Sequence, residues 1–594
     1  MKKQKGKIRL AEPVKKREEI PPVSILDRMI HAWLARRMTL GISPAALLLA
    51  YSDWFIHSAI YPGRQLELME ENMREALEFL DYSFKTILKP DAPPFIEPMP
   101  QDKRFEGEGW ERLPFKLFYQ SFLLAQHWFG KATTSVRGVS RHHEDVVSFV
   151  TRQILDVFSP SNFVLTNPEV LGTTLREGGA NLVRGWLYFL EDLRRYIADE
   201  KPVGAEKYRV GKEVAVTPGK VVYRNRLIEL IQYAPQTEQV YAEPILIVPA
   251  WIMKYYILDL SPHNSLVKYL VENGHTVFII SWKNPRAEDR DLGMEDYLNL
   301  GVMESLDAVR AIVPGRKVHT VGYCLGGTLL SIAAAALARD RIDVLQTVTL
   351  FTTLTDFREA GELTLFIDES QVSFLEGIMW DQGYLDRRQM AQIFQILRST
   401  DLIWSRLVHS YLLGEPQPMF DLMAWNADTT RLPFRMHSEY LRSLYLNNDL
   451  AEGRYQVGGK AIALSDIRAP IFMVATEWDH VSPWKSVYKL HLLADTEITF
   501  LLTSGGHNAG IVSEPGHPRR VYRVATKKET DPYVDPDAWM ARTPVKEGSW
   551  WPEWQSWLVK HSSPEMVPAP KSLGAPERGY RPLEDAPGTY VYEE

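Results

Sequence analysis

The sequence predicts an α/β fold: a largely parallel sheet covered by helices, interrupted by a helical insertion and preceded by a mainly helical region. Three observations predict it. From about Val210, apolar runs of strand length alternate with helical ones at Ile245–Val248, Thr276–Ser281, Val318–Val321, Val344–Leu350, Ile471–Ala475 and Ile498–Leu502. Most are followed by a turn or helix signal, the pattern of strands buried on both faces. Between Phe357 and about Gly459 the alternation gives way to aromatic, helical sequence. The first 200 or so residues carry apolar positions in a 3.6-residue rhythm, as in Asp102–Gln126 and Leu182–Ile197.

Taken in order, these elements give a helical N-terminal domain over about 1–200 and an α/β domain over about 201–594. Within the second, about 357–459 reads as an inserted helical cap, and the chain from about 528 as a C-terminal extension. Met1–Arg17 is rich in lysine, is not followed by an apolar segment, and reads as a solvated, flexible start rather than a secretory signal. The closing stretch Ser562–Glu594 is expected to be a loosely packed tail. No transmembrane segment is expected: Met38–Ser52 is short of the about 20 residues a span needs, and Val318–Ala338 is broken by the turn from Gly322 to Gly327.

The chain has 594 residues, of which 45% are hydrophobic and 24% charged, so it can bury a sizeable core. Its formal charge of −7 gives no reason to expect nucleic acid as a partner. With one cysteine, no internal disulfide or cysteine-based metal cluster can form, and a reducing, cytoplasmic compartment is expected. Arg141–His142–His143–Glu144–Asp145 is read as a solvated helix face rather than a metal site, because adjacent histidines point different ways. No phosphate-binding loop or metalloprotease motif occurs, and no cofactor is expected.

The strongest local signal is Gly322–Tyr323–Cys324–Leu325–Gly326–Gly327, between a strand and a helix. This is a nucleophile elbow with sulfur in place of the usual serine oxygen. Its strained turn leaves little room for a Cβ two residues either side, and the following helix sets its positive end beneath the thiol. A thiol nucleophile needs a base, and the base an orienting acid. In the α/β-hydrolase fold these follow in the order nucleophile, acid, base. Asp479, after Ile471–Ala475, and His507, after Ile498–Leu502, meet that order at strand ends. Glu477 and His480 compete nearby; Asp479 is preferred to Glu477 because it lies further into its loop.

These residues stand in a sequence that resembles the polyhydroxyalkanoate synthases, most closely class I, from about Asp102 to about Pro518. The elbow with Thr328 is similar to the family's cysteine-containing lipase box. Thr217–Tyr223, Glu229–Tyr233, Ile247–Ile252, Lys254–Leu260, Trp425–Asp428 and Tyr440–Arg442 resemble further family segments, as do Asp479–His480 and Gly505–His507. The chain departs from the family at Ala250 and at His437–Ser438–Glu439.

The resemblance implies polymerisation of (R)-3-hydroxyacyl-CoA into a growing polyester chain, with CoA released as a leaving group. Cys324 is the implied nucleophile, His507 the base and Asp479 the acid that orients it. The N–H of Leu325 and one from the Trp251–Ile252 turn would receive the oxyanion, since Pro249 has none to give. Arg398 is implied as a partner for CoA phosphate, and Asp259, Trp425 and His480 as substrate contacts. A homodimer, granule surface proteins and a location on polyester granules are likewise implied. The rival readings are an esterase or depolymerase of the same fold and a non-catalytic granule protein.

Overall fold

The computed structural model describes residues 24–34, 41–99, 102–397 and 399–594. The basic start and Arg398 lie outside them. The chain forms two compact units. One takes Gly204–Arg388 and Met419–Glu594 with the described residues up to Ala32; the other takes Trp33–Val203 and Gln389–Pro418. Residues 389–418, from the middle of the segment expected as a cap, therefore group with the helical unit, while its two flanks group with the sheet.

In the first unit, eleven strands among the described residues form one sheet. In chain order they are β1 Gly219–Arg224, β2 Ile228–Tyr233, β3 Ile245–Val248, β4 Val277–Trp282, β5 Val318–Tyr323, β6 Leu345–Phe351, β7 Ile471–Thr476, β8 Ile498–Thr503, β9 Val521–Lys527, β10 Lys546–Glu547 and β11 Glu584–Asp585. Their spatial order is β10-β9-β8-β7-β6-β5-β3-β4-β2-β1-β11. The six from β3 to β8 are parallel to their neighbours within that block. The six predicted apolar runs are these six strands, shifted by a residue or two at their ends. Each is buried along nearly its whole length, as continuous apolar runs require.

After β3 the chain steps to β4 on one side and then to β5 on the other. This reversal sets the carboxyl ends of β3 and β5 side by side, Val248 beside Gly322, at the crevice where sheets of this kind hold ligands. Antiparallel strands extend both edges. The helix Leu325–Arg339 is buried from Leu325 to Leu337, so its apolar, alanine-rich composition suits a central position.

The closing stretch is not loosely packed. Met566–Pro568 pairs with Gln239–Tyr241, β11 pairs with β1, and Val591 is buried. Composition suggested a tail because its anchors are distant in sequence. Chief among them is the fully buried carboxylate of Glu229, which accepts from the N–H of Thr589 and of Tyr590 and from the Thr589 hydroxyl.

The second unit is helical, with Pro44–Ile60, Pro62–Leu88, Phe115–Thr133, Arg141–Val157, Pro168–Arg176 and Ala180–Ala198 as its main helices. Phe105, Trp110, Tyr119, Phe122 and Leu123 form a small aromatic core. Beside it the Arg104 guanidinium is held by Asp102 and Asp156. Leu66, Met73, Leu80 and Ile87 recur every seven residues along Pro62–Leu88 and are all exposed. No helix of the described residues is long and apolar enough to cross a membrane.

Candidate active site

The elbow follows from local sterics. Cys324 takes φ +52° and ψ −121°, a conformation that costs a non-glycine residue energy and persists only where its surroundings enforce it. They do so here. The Cys324 N–H donates to the Phe351 carbonyl at the end of β6 (2.9 Å), and its carbonyl accepts from the N–H of Gly327 (2.9 Å) and Thr328 (3.2 Å) in the helix. A Cβ on Gly322 would strike the Gly327 Cα. One on Gly326 would strike the Val248 carbonyl oxygen, and one on Gly327 the Thr353 side chain. The glycines therefore let the helix start hard against β3 and β5. Cys324 is partly exposed at the top of the turn.

Two other strand ends bring up the partners. Beyond β7, the enclosed Asp479 carboxylate has one oxygen held by the N–H of Val481 (2.9 Å) and of Ser482 (2.8 Å). The other accepts from Thr476 Oγ1 (3.2 Å) and meets His507 Nδ1 at 2.8 Å. The bond to the imidazole thus falls to Asp479 rather than Glu477. Beyond β8, His507 lies close enough to Cys324 for the thiol to act on its charge. Burial works against a charged imidazole here, but Asp479 and Cys324 outweigh it and raise the His507 pKa well above its ordinary value.

The loop after β3 lies beside the elbow. The Trp251 and Ile252 carbonyls accept from Thr430 Oγ1 and Thr430 N–H respectively. In a trans peptide the carbonyl and the next N–H point in opposite directions, so the N–H of Ile252 is turned away from Thr430. Leu325 is the first residue of its helix, and its N–H has no carbonyl one turn earlier to bond.

The remaining expected contacts are distributed differently. Asp259 is fully buried, its carboxylate occupied by Thr217, Ser265 and Tyr233. Trp425 is buried and donates to the Lys254 carbonyl (2.8 Å). His480 is exposed, and its carbonyl accepts from the Glu362 N–H (3.2 Å).

Three residues with no role in the sequence reading lie beside these groups. Tyr440 and Tyr445 share a hydroxyl contact of 3.4 Å, and both rings pack near Phe357. Burial is the main reason both phenols are raised in pKa, and the neighbouring Cys324 adds to it. Their signal, two tyrosines five residues apart in a helical stretch, is too common to find unaided. Asn508 is similar: it accepts from the Tyr323 hydroxyl and donates to Asn426, tying the elbow to the histidine loop and to the start of the returning chain.

Three family models match. One described as the N-terminus of poly-beta-hydroxybutyrate polymerase (PhaC) covers residues 101–270, a second for the same polymerase's N-terminal region covers 21–64, and the alpha/beta hydrolase fold covers 243–513. A poly(3-hydroxyalkanoate) polymerase of Methylorubrum extorquens is 42% identical over 502 residues, spanning 84% of this chain and 82% of that one. The PhaC subunit of Rhizobium meliloti is 38% identical over 493 residues (82% and 79%), and that of Cupriavidus necator 35% over 497 (82% and 83%). At these identities over most of both partners' lengths, the chain belongs to the poly(3-hydroxyalkanoate) polymerase family.

Proposed function

We propose that this chain is an acyltransferase that builds poly(3-hydroxyalkanoate) from (R)-3-hydroxyacyl-CoA through acyl thioesters on Cys324. The observation that carries this reading is His507 beside the elbow cysteine and 2.8 Å from Asp479, in a chain of this family.

In the first half-reaction His507 takes the thiol proton as the Cys324 sulfur attacks the substrate carbonyl. The oxyanion rests on the N–H of Leu325 and of the Trp251–Ile252 turn. Collapse breaks the bond to the CoA sulfur, which leaves as the thiol with the proton from His507. One thioester replaces another, so the step is close to isoenergetic. In the second half-reaction His507 takes the proton of an incoming hydroxyl as its oxygen attacks the acyl-Cys324 carbonyl. An ester forms and the Cys324 thiol is restored. Asp479 holds the imidazole tautomer throughout; base assistance of this kind is worth roughly 10²–10⁴-fold. No cofactor enters this scheme.

The exposed apolar stripe that repeats every seven residues along Pro62–Leu88 supports a second part of the reading: the helical region contacts an apolar surface, that of the polymer granule or of a second copy. It contributes no catalytic group. A homodimer at the granule surface in the cytoplasm is the working state we propose.

Incubation with 3-hydroxybutyryl-CoA tests the reading. Insoluble polymer with stoichiometric CoA release is expected. Soluble 3-hydroxybutyrate instead would make the chain a hydrolase.

A further inference from the structure

We propose that Thr589–Glu593 is a strap that positions the Trp251–Ile252 peptide, with Lys254 and Glu593 as its positioning residues. The inference rests on the proposed oxyanion role of that peptide, and it adds the means by which the peptide is held.

The strap is anchored before it reaches the loop. Glu229 holds Thr589 and Tyr590 through three hydrogen bonds, and the Tyr590 hydroxyl donates to the Asn225 carbonyl (2.7 Å). The chain then arrives at Lys254, two residues after Ile252. Lys254 is only 4% exposed, and its Nζ donates to the carbonyls of Glu593 (2.6 Å) and Tyr590 (3.3 Å). A buried ammonium is costly unless its protons are taken up, so these carbonyls fix where Lys254 can sit.

Glu593 also works from the opposite side. Its Oε2 accepts from the Asn284 N–H (3.0 Å), and its carbonyl accepts from Asn284 Nδ2 (3.3 Å). Asn284 Oδ1 in turn accepts from the Arg431 N–H (2.9 Å). The neighbouring Thr430 holds the Trp251 and Ile252 carbonyls, and Met253 bridges to Thr429. The loop is thus gripped through Lys254 on one flank and through Thr429–Arg431 on the other, and Glu593 touches both grips. An oxyanion donor is effective when its direction is set beforehand, because no reorganisation is then needed as charge develops. A segment that merely sealed the sheet edge would not need to receive a buried lysine from this loop.

The test uses the full chain with Glu593→Ala and Lys254→Met, and with Glu593→Gln and Lys254→Arg as conservative partners. Three quantities are read: kcat and KM with 3-hydroxybutyryl-CoA, the rate of Cys324 alkylation by iodoacetamide, and hydrogen exchange of a peptide covering residues 249–255. For the first two variants we expect kcat to fall roughly 10–100-fold, somewhat less than loss of a whole donor. KM and alkylation should stay within about twofold, since neither needs the oxyanion. Exchange over 249–255 should quicken while β3 is unchanged, and the conservative variants should recover most of the lost turnover. Unchanged exchange would overturn the strap itself. Faster exchange with intact turnover would also overturn the proposal, and would lay the fault on the oxyanion role of the peptide. Alkylation falling in step with turnover would overturn it by showing general damage to the site. Should Lys254→Met fail to fold, the half-buried Glu593→Ala carries the test alone.

Discussion

The two ends of the parallel sheet treat a buried histidine in opposite ways. At the carboxyl end, His507 lies against Asp479 and Cys324, whose attraction overcomes burial and favours the imidazolium. At the amino end, His275 precedes β4 and His319 sits at the start of β5, both with no exposed surface. Burial there pushes each down to about 3, helped by the charge His319 would place on His275 and His561 on His319. His319 keeps neutral partners in Thr347 (2.8 Å) and Ser562 (3.0 Å); both ring nitrogens of His275 lack any among the described residues. Burial by itself therefore makes a histidine inert. One carboxylate at hydrogen-bond distance stabilises its charged form, which is what the proposed base role of His507 requires.

Removing the chemistry proposed for the carboxyl end should give the largest effects. Cys324→Ala is expected to reduce CoA release by at least about 10³-fold while leaving the melting temperature unchanged. Comparable release from a folded Cys324→Ala protein would break the assignment at its root. His507→Gln should cost nearly as much. Asp479→Asn, which favours the wrong tautomer, should cost about 10²–10⁴-fold, and Glu477→Gln less than about twofold. If the last two exchanged places, the orienting acid would be Glu477.

Stability against pH sharpens the contrast. His275 and His319 titrate lower in the folded state than when unfolded, so their contribution is present above about pH 6.5 and lost as pH falls toward 3. His507 titrates higher when folded. Its contribution is therefore complete below about pH 6.5 and lost as pH rises through its raised value. Denaturant titrations between pH 6.5 and 5, where few carboxylates titrate, should lose up to about 1.4 kcal/mol per pH unit for each amino-end histidine. His319→Asn should flatten this acid slope without touching the alkaline one, and His507→Gln should do the reverse. An unaltered acid slope in His319→Asn would mean that this imidazole is not held neutral.

The smallest change concerns His275, whose ring packs on Tyr241 at 4.8 Å with no partner for its nitrogens among the described residues. His275→Phe keeps the ring contact and removes two unsatisfied polar atoms. A gain of about 1 kcal/mol at neutral pH is expected by chemical denaturation, with activity unchanged. A loss of stability would show that those nitrogens are bonded after all.

Much of the carboxyl end was legible in the sequence because its causes are local. Six apolar runs mark six buried strands, since a strand covered on both faces must be apolar throughout. Gly322, Gly326 and Gly327 mark the elbow, since no Cβ fits where the helix meets β3 and β5. The positions of Asp479 and His507 just beyond strand ends placed them at the sheet's carboxyl edge.

What the tertiary structure alone decided depends on partners distant along the chain. Asp479 rather than Glu477 reaches His507 because the N–H groups of Val481 and Ser482 turn its carboxylate inward. The closing segment, polar and rich in proline, reads as a tail until Glu229, some 360 residues earlier, supplies the acceptor that orders it. Tyr440 and Tyr445 became neighbours of Cys324 only through the path of the returning chain, and residues 389–418 joined the helical unit by packing that no local pattern records. Periodicity and sterics act over a few residues and can be read in order; buried charge is placed by whichever distant group satisfies it, and that is known only once the chain is folded.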